Sequence, residues 1–119
     1  MNKEKFIIGL ENAVTKNLPH DIIYVLENIK LKGNDNLSEL SDWYKKLSSN
    51  EKDMIINLIT MVSFHNTFGI LCVLDGVRAI EPESLDEKIE LYFESNSKRY
   101  LINEEKGPYL HDIWKERNE

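Results

Sequence analysis

The sequence predicts a mainly α-helical domain of the α+β class, a helical bundle around one long central helix, closed by a C-terminal β-hairpin and a short final helix. Three observations carry this. Apolar residues recur at helical spacing through most of the first 74 residues. The run Met54 to Leu74 contains no Asp, Glu, Lys or Arg. From Lys88 to Glu94 the pattern switches to strict alternation, the period of a strand with one face buried. A chain of 119 residues is enough for one domain, so residues 1–119 are read as one unit, with a helical part over 1–76 and the hairpin plus terminal helix over 77–119.

The first helix is expected over residues 3–16, with Phe6, Ile7, Leu10 and Val14 on one face. Asn17-Leu18-Pro19 ends it, because the residue before a proline is pushed out of the helical region. Pro19 then suits the first turn of a second helix, with Asp21 near its positive end and Ile22, Ile23, Leu26 and Ile29 inward. Lys30, Lys32 and Gly33 read as its end, and Gly33-Asn34-Asp35-Asn36 as a loop. A third helix is expected from Leu37 to Leu47, turning Leu40, Trp43, Tyr44 and Leu47 inward.

Ser48 followed three residues later by Glu51 is a capping box, which satisfies free amides at a helix start. The long helix behind it, from about Asn50 to Leu74, is apolar on almost every side and is therefore expected to be buried at the centre. Its length approaches that of a membrane span, but Asn57, Thr60, Ser63, His65, Asn66 and Thr67 interrupt it, which favours a core helix. His65-Asn66-Thr67 and Gly69 are weak helix formers, and a break or kink is expected there. Asp75-Gly76 ends the helix, and Glu81-Pro82-Glu83-Ser84 reads as an exposed turn. Ile89, Leu91 and Phe93 fall on one side of the first strand, Lys88, Glu90, Tyr92 and Glu94 on the other. Ser95-Asn96-Ser97 is the hairpin turn, Arg99 to Ile102 the return strand, and Gly107-Pro108 opens a last helix with Tyr109, Leu110, Ile113 and Trp114 inward.

Chemistry-bearing constellations are sparse. His20, His65 and His111 are far apart, and no metal-ligand spacing links them to one another or to Cys72. His65 is the strongest candidate for a catalytic histidine, weighed against a hydrogen-bonded core histidine. His111 and Asp112 are neighbours on a helix and are expected to point apart. Cys72 lies in an apolar run, where burial raises a thiol pKa and makes it inert. Carboxylate pairs such as Glu104/Glu105 stand in polar surroundings that leave them solvated. No catalytic residue, metal site or cofactor is expected, and the chain reads as a binding protein and not as an enzyme.

The charge distribution points to the class of partner. The net charge is −6, and residues 51–119, with fourteen acids and eight bases, account for all of it. An acidic domain without a basic stripe suits a basic protein better than nucleic acid, whose affinity rests on phosphate contacts. The expected contact residues are Asp75, Arg78, Glu81, Glu83, Asp86, Glu87, Glu90, Tyr92 and Glu94. Tyr92 between two outward carboxylates combines an aromatic anchor with steering charge. For Arg78 the structural alternative is a pairing with Asp75 or with a helix C-terminus. Met1-Asn2-Lys3-Glu4-Lys5-Phe6 reads as no secretory signal, and with the single cysteine it fits a cytoplasmic location away from membranes.

The run Phe68-Gly69-Ile70-Leu71-Cys72-Val73-Leu74-Asp75-Gly76-Val77-Arg78-Ala79-Ile80-Glu81, with Leu101-Ile102-Asn103 and Leu110-His111-Asp112, resembles small bacterial proteins. Some of these occur as immunity partners of polymorphic or contact-dependent growth-inhibition toxins. The resemblance covers about the last half of the chain and implies an antitoxin whose partner is a cognate toxin, expected to be a basic nuclease domain. It transfers no functional residue. The alternative is a small regulatory or adaptor module that binds a protein unrelated to toxins. A third reading, an enzyme built on His65 and distant carboxylates, needs an open pocket at that histidine.

Overall fold

The computed structural model describes residues 1–28, 36–81, 83 and 86–119. The expected end of the second helix and the Gly33-Asn34-Asp35 loop lie outside the described residues, as do Pro82 and Ser84 of the expected turn. The helical elements are α1 (Lys3–Leu10), a π-helical turn (Glu11–Thr15), α2 (Leu18–Asn28), α3 (Asn36–Lys45) and α4 (Ser49–Leu74). The hairpin strands β1 (Tyr92–Ser95) and β2 (Lys98–Leu101) and the final helix α5 (Leu110–Asn118) follow. This is the mainly helical architecture with a C-terminal hairpin that the periodicities predict.

The described chain forms two compact units. One comprises Met1–Ala13 with His65–Glu119, the other Val14–Phe64. In the first, α1 and α5 pack together. Its core is Ile7, Leu71, Cys72, Ile102, Leu110 and Trp114, all 5 % exposed or less. Two polar ties fasten α1 and the turn after it. Lys3 Nζ donates to the carbonyl oxygens of Glu104, Lys106 and Pro108 at 2.7–2.9 Å. Arg117 Nε donates to Glu11 Oε2 at 2.8 Å, and this answers the burial of that carboxylate. The hairpin closes through Asn96 and Ser97, both at positive φ, the backbone of a type I′ turn that matches strand twist. Phe93 pairs with Tyr100 and Glu94 with Arg99.

The second unit packs α2 against α3. Its buried apolar side chains, among the described residues, are Leu26 and Tyr44. Ser41 Oγ donates to the Leu26 carbonyl, and Ser63 Oγ to the Thr15 carbonyl at 3.2 Å. Burial, then the charges of Glu27 and Asp53, push the Tyr44 hydroxyl pKa up, while Lys52 Nζ lies 5.2 Å from the centre of its ring. Several side chains expected inward are exposed here: Ile22, Leu40 and Trp43, together with Val14. In the first unit Tyr109 is likewise exposed. Short helices around so small a core cannot enclose a whole apolar stripe.

The capping box at α4 is formed. Ser48 N–H donates to Glu51 Oε1 at 2.9 Å and Glu51 N–H to Ser48 Oγ at 3.2 Å. The bond from the Ser48 backbone, then that with its side chain, holds the Glu51 carboxyl below the usual carboxylate range. A lowered folded-state pKa gives stability that is complete above the ordinary glutamate value and is lost as pH falls through the folded one. Wild type is therefore expected to lose more stability between neutral pH and about pH 3 than Glu51→Gln, which keeps an acceptor but does not titrate. Urea midpoints of both proteins at the two pH values check this, and parallel losses would dismiss the box as the source.

Two expectations for α4 are corrected. The helix runs unbroken through His65-Asn66-Thr67 and Gly69, because the i→i−4 ladder tolerates weak formers. It is also not enclosed: it is long and apolar enough to cross a membrane, yet only 22 % of its most apolar stretch is buried. The buried positions on it are Ser63, Thr67, Leu71 and Cys72, and Met54, Leu58, Met61, Val62 and Ile70 are exposed.

Candidate functional site

The segment from the end of α4 to β1, which holds the residues expected to make contact, belongs to the unit of Met1–Ala13 and His65–Glu119. Helix α4 stops in a Schellman motif: Val77 N–H donates to the Cys72 carbonyl and Gly76 N–H to the Val73 carbonyl, both at 3.0 Å. Gly76 supplies the left-handed residue this closure needs, with φ of +76°. The turn directs Asp75 inward and the following residues outward.

Asp75, one of the expected contact residues, has a buried side chain, 2 % exposed, and both oxygens are engaged. Oδ1 accepts from Leu110 N–H at 3.1 Å, and Oδ2 accepts from His111 N–H at 2.8 Å. His111 Nδ1 lies 2.7 Å from Oδ2, and since a carboxylate only accepts, that nitrogen carries the proton. Asp75 thus caps α5, whose own N-cap, Tyr109, makes no side-chain capping bond. The His111 ring is fixed by Tyr109 stacked at 5.4 Å and Phe68 edge-on at 5.7 Å. Its Nε2 lies 3.3 Å from Asp112 Oδ1, so the adjacent pair meets despite its helical spacing.

An imidazole oriented by a buried carboxylate is half of a nucleophile–base arrangement. The thiol near these charges does not complete it. Burial pushes the Cys72 thiol pKa up, against the opposing pull of Arg78, which keeps the sulfur in its unreactive form. No group of three or more His, Cys, Asp or Glu that could hold a metal occurs among the described residues. What the pair does in this geometry is clamp α5 to the end of α4.

Arg78 neither pairs with Asp75 nor leaves the surface. Its guanidinium lies over Gly69, where a Cβ would come within 2.8 Å of Nη1. Glu81, Glu83, Asp86 and Glu87 are all exposed, and no Lys or Arg stands among residues 81–87.

The outer face of the hairpin carries Tyr92 between Glu90 and Glu94 as expected, but it is not a bare acidic patch. The Tyr92 hydroxyl donates to Glu90, and Lys88 Nζ lies 3.4 Å from Glu90 Oε1. These two partners, Tyr92 first, hold the Glu90 carboxyl low, and the same bond raises the Tyr92 pKa. The Arg99 guanidinium stacks on the Tyr92 ring at 3.8 Å while its Nε meets Glu94 Oε1 at 3.2 Å. Two acids face two bases, so the hairpin face is neutral overall and pre-ordered around its tyrosine. The pairing of Glu94 with Arg99 follows from strand register, which the composition of one strand does not reveal.

Asn103 is a positioning residue that the sequence reading leaves without a role. Its Oδ1 accepts from Leu91 N–H at 2.8 Å, and its Nδ2 donates to the carbonyls of Leu74 at 2.6 Å and Ile89 at 2.7 Å. One amide therefore ties the end of α4 to the approach of β1 and fixes both ends of the acidic segment. Comparison of this chain with protein-family models, with curated proteins and with solved structures finds no match in any of the three.

Proposed function

We propose that this chain is an immunity protein of the bacterial cytoplasm that binds a cognate toxin domain and neutralises it by covering its active or substrate-binding surface. The observation that carries the reading is the exposed run Glu81, Glu83, Asp86 and Glu87, free of intervening bases and held between two fixed points. Charge is concentrated in the same unit. Residues 14–64 hold seven acids and six bases, a net −1, which leaves −5 of the total −6 to the unit that carries the acidic run. A field of that sign attracts a basic nuclease domain and repels nucleic acid. Arg78 and the ordered Tyr92–Arg99 stack flank the run and offer the planar groups that serve as anchors at protein interfaces. The partner in this reading is a protein, with no cofactor and no metal.

The test is a growth assay. The C-terminal segment of the protein encoded immediately upstream is expressed with and without this chain. Arrest relieved only by co-expression is the expected result. A harmless neighbour, or arrest that this chain does not relieve, overturns the proposal and turns attention to a regulatory or adaptor role, for which capture of a host protein is the next measurement.

A further inference from the structure

We infer that the exposed apolar face of α4 within residues 49–64 is a self-association surface, covered in solution by a second copy of this chain. Met54, Leu58, Met61 and Val62 recur at helical spacing on one side of α4 and leave 68, 50, 53 and 54 % of their surfaces exposed. Four such side chains present roughly 400 Å² of apolar surface, the size of the largest apolar patch on an ordinary monomer, which is often a functional one. With the polar rim that normally surrounds an apolar centre, this corresponds to roughly 700 Å² per copy, close to the half-interface of a standard stable complex.

The chemistry of the face selects a second copy over other occupants. No charged residue lies between Met54 and Phe64, so two such faces meet without opposing like charges. Leu58 falls midway between Met54 and Val62, so a two-fold axis beside it sets Leu58 against its own copy and Met54 against Val62 of the other. That arrangement is antiparallel, which also aligns the helix dipoles favourably. The unit of Val14–Phe64 has a net charge of only −1, which leaves little repulsion between two of them. A lipid surface is the poorer match. Interfacial helices bring Lys and Arg beside the apolar stripe, whereas the first turns of α4 carry Glu51 and Asp53 against Lys52 alone. Burying Met54, Leu58, Met61 and Val62 also adds apolar burial to a unit whose described residues include two buried apolar side chains, Leu26 and Tyr44.

The inference is independent of the partner proposed above and is tested on the full chain alone. Light scattering and sedimentation over a micromolar to high-micromolar range are expected to show a concentration-dependent dimer. Leu58→Glu and Met61→Glu, both at exposed positions, are expected to raise the dimer dissociation constant by roughly a hundredfold, because each change enters the two-fold interface twice. Helical circular dichroism should be preserved in both. Val77→Glu, at an exposed residue outside the face, should leave the dimer intact. A wild-type monomer throughout the range overturns the inference, as does a dimer that neither α4 substitution weakens. Flotation of the wild type, but not of Leu58→Glu, with phosphatidylcholine or phosphatidylglycerol vesicles while the protein in solution stays monomeric assigns the face to lipid and overturns it equally.

Discussion

Asp75→Ala is expected to lower the unfolding free energy by about 3 kcal/mol. The carboxylate accepts two backbone amides at the start of α5 and the ring N–H of His111, with a side chain 2 % exposed. Its removal leaves buried donors at a helix N-terminus without acceptors. Loss of a helix cap alone costs about 1 kcal/mol, and the desolvation of donors left unmade adds about 1–3 kcal/mol. Against a total stability of roughly 5–15 kcal/mol this is a lowering of the melting temperature by about 10 °C or more. Asp75→Asn retains one acceptor oxygen and should lose roughly half as much. His111→Ala removes the ring contact but leaves both amides capped, at a cost of about 1 kcal/mol. Urea denaturation of the three variants decides the matter. An Asp75→Ala protein within about 0.5 kcal/mol of wild type would mean that water takes over the cap.

This clamp carries no local signal in the sequence. Local signals were legible wherever the partners are close along the chain. The Ser48–Glu51 box and the Asn96-Ser97 turn act within a few residues. The alternation over Lys88 to Glu94 does not mark a buried face, since Ile89 and Phe93, expected inward, are as exposed as Tyr92. Asp75 and the amides it caps are thirty-five and thirty-six residues apart, and a helix whose cap comes from that distance carries no cap signal of its own. The residue before α5, Tyr109, reads as part of an apolar face and is instead the stacking partner of His111. Asn103 was equally hidden, since an asparagine after a strand reads as an ordinary turn residue until its three partners come together. The burial of α4 failed for a different reason. Periodicity reports which residues are apolar, not how much of the chain remains to cover them. Among the described residues of the second unit only Leu26 and Tyr44 are buried apolar side chains, and most of the apolar surface of α4 stays exposed.

Charge reversal of the acidic run is the decisive test of the contact surface. The quadruple variant Glu81→Lys, Glu83→Lys, Asp86→Lys, Glu87→Lys changes the net charge by eight, from −6 to +2. All four positions are exposed, so the fold should be retained, since surface substitutions of this kind rarely shift stability by more than about 0.5 kcal/mol each. Association with a basic toxin domain is expected to slow by roughly 10- to 100-fold at low ionic strength, because the long-range attraction that steers encounter is replaced by repulsion. The difference should shrink as salt is raised, once the Debye length falls to about 3 Å near 1 M. Glu90 and Glu94 are the wrong residues for this purpose. Their reversal would break the Tyr92 and Arg99 contacts and would confound a change in field with a change in hairpin order. Arg99→Ala supplies the complementary measurement. It leaves the acidic run untouched but frees the Tyr92 ring, and if the stack is a pre-ordered anchor it should accelerate dissociation with little change in the association rate. Stopped-flow mixing with the cognate domain separates the two effects. An association rate that the quadruple variant leaves unchanged at low salt would place the contact surface elsewhere on the protein. A rate that falls at low salt and returns toward the wild-type value as salt is raised would fix the acidic run as the part of the surface that the partner meets first.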